Sequence, residues 1–199
     1  MVRSKAAVVT DFRRQQILES ARATFVRKGL AGTTVSEIAH GANVAKGTVY
    51  LYFRSKDEIL RQLLDDALVE LYDDTVPLVT GAGTWEAKLR GFLDRTLAFY
   101  DRQHDFLEQC HFELTREMRK NTKRGVGRIF AAQTRAWRAA LNRGQRGERL
   151  SVAPTRAAAG VVSFAYGLGH QRLHGWLAGS RQDVVEWGSK LLLEGLRAS

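Results

Sequence analysis

Apolar side chains recur at Ile17, Leu18, Ala21 and Phe25, one stripe at helical spacing within residues 11 to 28. Thr10 is placed to cap this helix, and Asp11 suits its positive start. Lys28-Gly29-Leu30 predicts the stop, with Gly29 taking a left-handed position and Leu30 folding back on Phe25. Thr34-Val35-Ser36-Glu37 reads as a capping box that opens a short helix with Val35, Ile38, Ala39 and Ala42 inward. Ser55-Lys56-Asp57-Glu58 repeats the signal and opens a long helix through Ile59, Leu60, Leu63, Leu64, Ala67 and Leu71.

Between these two starts lies "ANVAKGTVYLYF", residues 42 to 53, whose β-branched and aromatic run favours a strand by propensity. Helices flank it on both sides and no second strand is at hand, so a strand here would leave its ladder groups unpaired. As a helix it places Val49 and Phe53 at i and i+4, facing Ile38 and Phe25, and Asn43 can turn the chain with a positive φ. The prediction is therefore helix, short turn, helix.

Further stripes run through Trp85, Leu89, Phe92, Leu93, Leu97 and Tyr100; through Phe106, Leu107, Cys110, Leu114 and Met118; and through Val126, Ile129, Phe130, Trp137 and Leu141. Pro77 and "TGAGTW" mark a break, "NRGQRGERLSVAPT" a loop, and two last helices are expected at about 154 to 178 and 182 to 197. The fold expected is all-α: a three-helix domain over residues 1–56, with a mobile arm over 1–9, and a helical domain over 57–199.

Composition narrows the function. No apolar run approaches the roughly 20 residues that span a bilayer, and the N-terminus lacks a signal-peptide pattern, so a cytoplasmic protein without a membrane partner is expected. A single cysteine, Cys110, excludes an internal disulfide or a cysteine-based zinc site. The net charge is +10, and residues 1–56 hold ten Lys/Arg against three acids. A surplus of +7 in that first quarter points to a polyanion partner, nucleic acid before membrane, with a basic tail that only keeps the protein soluble as the bland alternative.

The stretch "ILESARATFVRKGLAGTTVSEIAHGANVAKGTVYLYFRSKDEIL" resembles the DNA-binding domain of the TetR-type transcriptional regulators, with matching positions including Phe25, Gly29, Thr33, Thr34, Ile38, Ala42, Gly47, Thr48, Val49, Tyr50, Tyr52, Phe53 and Lys56. Two departures stand out. Asn43 occupies the usual turn glycine, and Ala45 the usual helix cap, where a lost cap costs about 1 kcal/mol. The resemblance implies that the second helix of the pair enters the major groove, with Lys46 at the base edges and Gly47 allowing close approach. Thr33, Thr34, Thr48, Tyr50, Tyr52 and Lys56 are the further DNA-binding candidates, Arg3 and Lys5 an added reach of the arm.

It also implies a homodimer on a palindromic operator in double-stranded DNA and a small-molecule effector that releases a repressor from DNA, with no cofactor and no enzymatic activity. Candidate pocket residues are Phe92, Tyr100, Phe106, Cys110, Leu114, Phe130, Trp137, Phe164 and His170, whose aromatic content suits an apolar or aromatic effector. Candidate dimer residues are Val161, Leu168, Trp176, Trp187, Leu191 and Leu192, with Gly160, Gly167 and Gly169 permitting close helix approach. Each of these residues would equally serve an ordinary core. A helical small-molecule-binding or catalytic protein with an incidental basic head is the competing reading.

His104, Cys110 and His111 lack the spacing for a catalytic or metal set, and the i, i+4 pair His170 and His174 lacks a third ligand. "REMRKNTKRGVGR", six cations and one acid, reads as a solvated helix end, with an anion-binding surface as the sharper alternative.

Overall fold

The computed structural model describes residues 5–109, 126–144 and 150–197. Among these residues nine helices form: α1 (Lys5–Gly32), α2 (Val35–Gly41), α3 (Lys46–Tyr52), α4 (Lys56–Thr80), α5 (Trp85–Arg102), α6 (His104–Gln109), α7 (Val126–Gly144), α8 (Pro154–Leu173) and α9 (Arg181–Leu196). The one β contact among them is a single antiparallel bridge between Leu150 and Arg197. "ANVAKGTVYLYF" is accordingly the end of α2, a turn and α3, with Asn43 at φ 53° making the turn.

Two cores organise the chain. In the head, Ile17, Leu18, Ala21 and Phe25 of α1 meet Ile38 and Ala39 of α2, Val49 of α3, Phe53, and Ile59 to Leu64 of α4. Burying each large apolar side chain contributes roughly 1.5 to 3 kcal/mol, so this small unit is held chiefly by Phe25, Phe53, Ile17 and Ile38. In the body, α5 and α7 to α9 close around Phe92, Leu93, Leu97, Trp137, Leu141, Val161, Val162 and Val184. A third, smaller cluster of Ala67, Leu71, Phe99, Tyr100, Leu107 and Leu173 lies between α4, α5, α6 and α8.

α4 serves both cores, giving Ile59, Leu60, Leu63 and Leu64 to the head and Val79 to the body. α6 does the same within two residues. Phe106 enters the head core, and Leu107 packs with Tyr100 and Leu173.

Local signals hold at some ends and fail at others. Gly29 breaks α1 at φ 69° and ψ 169°, an extended variant of the positive-φ stop that is essentially restricted to glycine. The Thr34–Glu37 capping box forms in full. At α4 only half does: Ser55 Oγ accepts from the Glu58 amide at 3.2 Å, while the Glu58 carboxylate reaches one residue further, to the Arg54 amide at 2.6 Å.

α1 starts at Lys5, so Thr10 is mid-helix instead of at a helix start, and residues 5–9 are a helical extension in place of a mobile arm. Arg3 lies outside the described residues. α4 runs through Pro77 to Thr80 although the proline leaves the carbonyl one turn earlier without its amide, and the Gly81 amide closes the final turn on the Pro77 carbonyl at 2.8 Å. α8 stops at Leu173, short of Ala178, and Gly175 at φ 67° turns the chain. Ser180 and Asp183 then form a capping box that opens α9.

Gly29→Ala forces a Cβ into this backbone and to 3.3 Å from the Gln109 side chain, and is expected to cost about 1 to 3 kcal/mol, read by chemical denaturation as a lower midpoint with unchanged slope.

Candidate nucleic-acid interface and the buried polar layer

α3 is anchored by burial and free on its outer side. Val49 and Phe53 are fully buried, so the opposite face, with Lys46, Gly47, Tyr50 and Leu51, is turned outward. Leu51 is 83% exposed and Tyr50 48%, a degree of exposure that packing within the head does not call for. Nothing stands within 4 Å of where a Gly47 Cβ would be. Ala45, extended at φ −67° and ψ 147°, offers the first turn no side-chain cap.

Thr34 is exposed and shares its hydroxyl with the Glu37 carboxylate at 2.9 Å. Thr48 is half-buried at the edge of α3, and Tyr52 leans on the head core. The expected reader face thus contains Lys46, Gly47, Thr48 and Tyr50 together, and sequence reasoning missed Leu51 and the exposed Arg54 beside them. Leu51 was legible in principle as the i+4 partner of Gly47.

Two expected DNA-binding residues are used internally. Thr33 is buried, its hydroxyl donating to the Gly29 carbonyl at 2.7 Å, so it closes the end of α1 and presents nothing outward. Lys56, expected on the phosphates, donates through Nζ to the carbonyls of Leu30 at 2.5 Å and Thr33 at 2.8 Å. The loop carbonyls form an oxygen pocket that a solvated phosphate competes with.

Other head cations are similarly engaged. Arg14 covers the Phe53 ring at 4.9 Å and bonds Gln62, Arg22 covers Phe106 at 4.6 Å and bonds Gln103, and Lys28 pairs with Glu37. Lys28 and the Thr34 amide and hydroxyl hold the Glu37 carboxyl down to about 2.

The sequence of the head matches the family model described as bacterial regulatory proteins, tetR family, over residues 17–63. An HTH-type transcriptional regulator of Pseudomonas putida, TtgW, is 34% identical over 94 residues that cover 47% of this chain and 69% of that protein. The chain belongs to the tetR family of transcriptional regulators. The HTH-type transcriptional repressor KstR2 of Mycobacterium tuberculosis is 33% identical over 100 residues, half of either chain, so the match spans half the length of that curated relative. A tetR-family regulator from Mesorhizobium loti superposes with a TM-score of 0.74 at 19% identity, over 98% of this chain and all of the other, which shows that the fold is shared along its length. No helix among the described residues is long and apolar enough to cross a membrane.

In the body of this tetR-family protein the expected pocket residues separate. Phe92 and Trp137 meet edge to face at 5.5 Å, and Tyr100 and Phe130 each face Tyr166, at 6.5 and 5.9 Å. Phe106 belongs instead to the head core, because α6 packs on α1 and turns it under the Arg22 guanidinium. Phe164 is rotated one position off the inward stripe of α8 and meets Trp187 at 6.3 Å. His170 stands one turn beyond Tyr166, its ring 4.5 Å from that of His174. Cys110, Leu114, His111 and the cluster from Arg116 to Gly125 lie outside the described residues.

Polar residues that the apolar stripes concealed line the same space. Tyr166 donates to Gln133 Oε1 at 3.0 Å, Gln133 donates to Thr75 Oγ1 at 2.8 Å, and Thr75 donates to the Leu71 carbonyl at 2.6 Å. Burial, together with the neighbouring Tyr100, pushes the Tyr166 hydroxyl far above its ordinary range, and burial pushes Tyr100 up to about 12. Both therefore remain neutral at physiological pH.

The expected dimer residues also divide. Val161 and Leu168 are buried within the protomer, because they face α5 and its neighbours rather than solvent. Leu192 is partly buried against the same core. Trp176, Trp187 and Leu191 are exposed, and Gly160 and Gly167 have nothing within 4 Å, whereas Gly169 is pressed against the Tyr100 ring.

Lys56→Ala strips two carbonyls of a charged donor, and is expected to lower head stability by about 1 to 3 kcal/mol in denaturant unfolding without any DNA present.

Proposed function

We propose that this protein is a homodimeric repressor that reads a palindromic operator through α3 and leaves it when a small, largely apolar molecule binds in the body. Lys46 is the base-reading donor, suited to guanine O6 and N7, and Gly47 lets the backbone close in. Thr34, Thr48, Tyr50 and Tyr52 take the phosphate side, and Leu51 offers a methyl surface to thymine. A single seven-residue helix reads few bases, and two heads about 34 Å apart on one face of the duplex supply the rest.

The dimer surface is drawn as the outward face of α8 and α9, where Trp187, Leu191 and Phe164 stand beside Gly160 and Gly167. Small residues beside exposed aromatic ones allow two copies to approach closely and bury the rings. KstR2, matched over half its length, is a repressor by name, which supports the sign of regulation proposed here.

One observation carries the coupling. Phe106 is fixed in the head core while its neighbour Leu107 is fixed against Tyr100 and Leu173, so a shift of the body layer is transmitted through α6 to the head. A ligand that favours one spacing of the two heads lowers operator affinity by the free energy of that difference.

Mobility shift on DNA flanking the gene, against random duplex and across a salt series, tests the reading. Lys46→Ala is expected to weaken operator binding about 5- to 150-fold, the equivalent of roughly 1 to 3 kcal/mol, and random duplex far less. Equal losses on both DNAs would remove Lys46 from base reading, and absence of any preferred DNA would remove the regulator reading.

A further inference from the structure

The body core contains two buried polar atoms that the fold itself does not satisfy. Thr96 Oγ1 and Trp137 Nε1 are inaccessible to solvent and have no hydrogen-bond partner among the described residues. Leaving a buried donor unpaired is unfavourable, and native cores rarely tolerate it without a reason. Here two such atoms occur in one layer.

Their placement follows from the helices. Phe92, Thr96 and Tyr100 follow one another at i, i+4 and i+8 on one face of α5, and Gln133 and Trp137 at i and i+4 on one face of α7. Phe92 touches Trp137 at one end of the layer, and at the other Tyr100 meets Tyr166, which is bonded to Gln133. Thr96 therefore sits between these two contacts, on the side of α5 that faces α7.

α5 and α7 each pack closely on α4 and on α8 but approach one another along little of their length. Side chains such as Phe92 and Trp137 make much of what contact they have, so the layer can part with little helix–helix packing lost.

We propose that this layer binds a neutral, largely apolar molecule through one hydrogen-bond acceptor oxygen, a ketone, ester or lactone carbonyl, held by Trp137 Nε1 and Thr96 Oγ1 between aromatic rings. The indole N–H only donates, which selects an acceptor. The remaining polar partners, Thr75, Gln133 and Tyr166, are already bonded to one another.

Charge is selected against. The tyrosines facing the layer stay neutral, and the buried cation on the same helix, Lys88, lies eight residues or about 12 Å of helix away from Thr96, toward Arg143. A carboxylate in this layer would be buried without a counter-charge. This rests on the effector reading above and names the chemical class of the effector.

Thermal unfolding of the full chain without DNA tests it independently of operator binding. The probes are 2-octanone, 2-decanone and cyclododecanone, with octanoate and decanoate as charged matches. At least one ketone is expected to raise the wild-type midpoint by about 3 to 6 °C at roughly ten times its dissociation constant, and the carboxylates to leave it unchanged. Thr96→Val and Trp137→Phe are expected to lose that shift.

Unliganded Thr96→Val should unfold at the wild-type temperature or above, since it removes an unpaired hydroxyl at constant shape. Carboxylates matching the ketones, variants that keep the full shift, or a marked fall in the Thr96→Val midpoint would each sink the proposal. So would a wild-type midpoint that no probe moves, the result expected if a water satisfies both atoms. A protein that binds no operator yet responds to ketones would instead overturn the regulator reading alone.

Discussion

Phe106 is the side chain on which the arrangement turns. It is supplied by a six-residue helix that follows directly on the body helix α5, yet it is buried in the core of the head, with the Arg22 guanidinium over its ring. A three-helix unit of this size has little apolar surface of its own to bury, and part of what completes it comes from Phe106, far downstream of Ser55, the cap that opens α4. The head cannot be displaced as an independent bead. Its position is set by where α6 holds Phe106, and α6 is in turn fixed by Leu107 against Tyr100 and Leu173.

The same geometry explains why polar residues populate the seam between head and body. Arg22 bonds Gln103, Gln103 bonds Glu70 at 3.1 Å, and Arg102 bonds Glu70 and Asp74 at 2.8 and 3.1 Å. The two Arg102 ion pairs are exposed and contribute little to stability, whereas Gln103 is buried and links Arg22 of the head to Glu70. A joint made of exposed pairs, one buried amide and a buried ring admits small rotations at low cost while keeping its register.

Most of the head was legible because its signals are local. Gly29, the Thr34–Glu37 box, Asn43 and the i, i+4 pair Val49 and Phe53 each specify their own geometry within a few residues. What escaped needed knowledge of the partner. Hydroxyl and ammonium groups at Thr33 and Lys56 suit a phosphate or a nearby carbonyl equally well, and only the folded loop shows the carbonyl nearer. Val161 and Leu168 were readable as an apolar face but not as facing α5 rather than a second copy. Thr75, Thr96, Gln133 and Tyr166 looked like interruptions in apolar stripes, since periodicity weighs each polar residue alone and cannot show that four converge. The early start of α1 was hidden by its own exposure: Val8, Val9 and Phe12 contact no core that would give the segment a period.

The inward engagement of Arg14, Arg22, Lys28 and Lys56 bears on how the protein moves through a genome. Binding to arbitrary DNA is driven by counterion release, and it scales with the number of phosphates neutralised. Of the head's ten Lys/Arg these four are held by rings, amides, a carboxylate and carbonyls, so fewer phosphates lie within reach than the formal surplus of +7 implies, and the pull toward arbitrary sequence is correspondingly weaker.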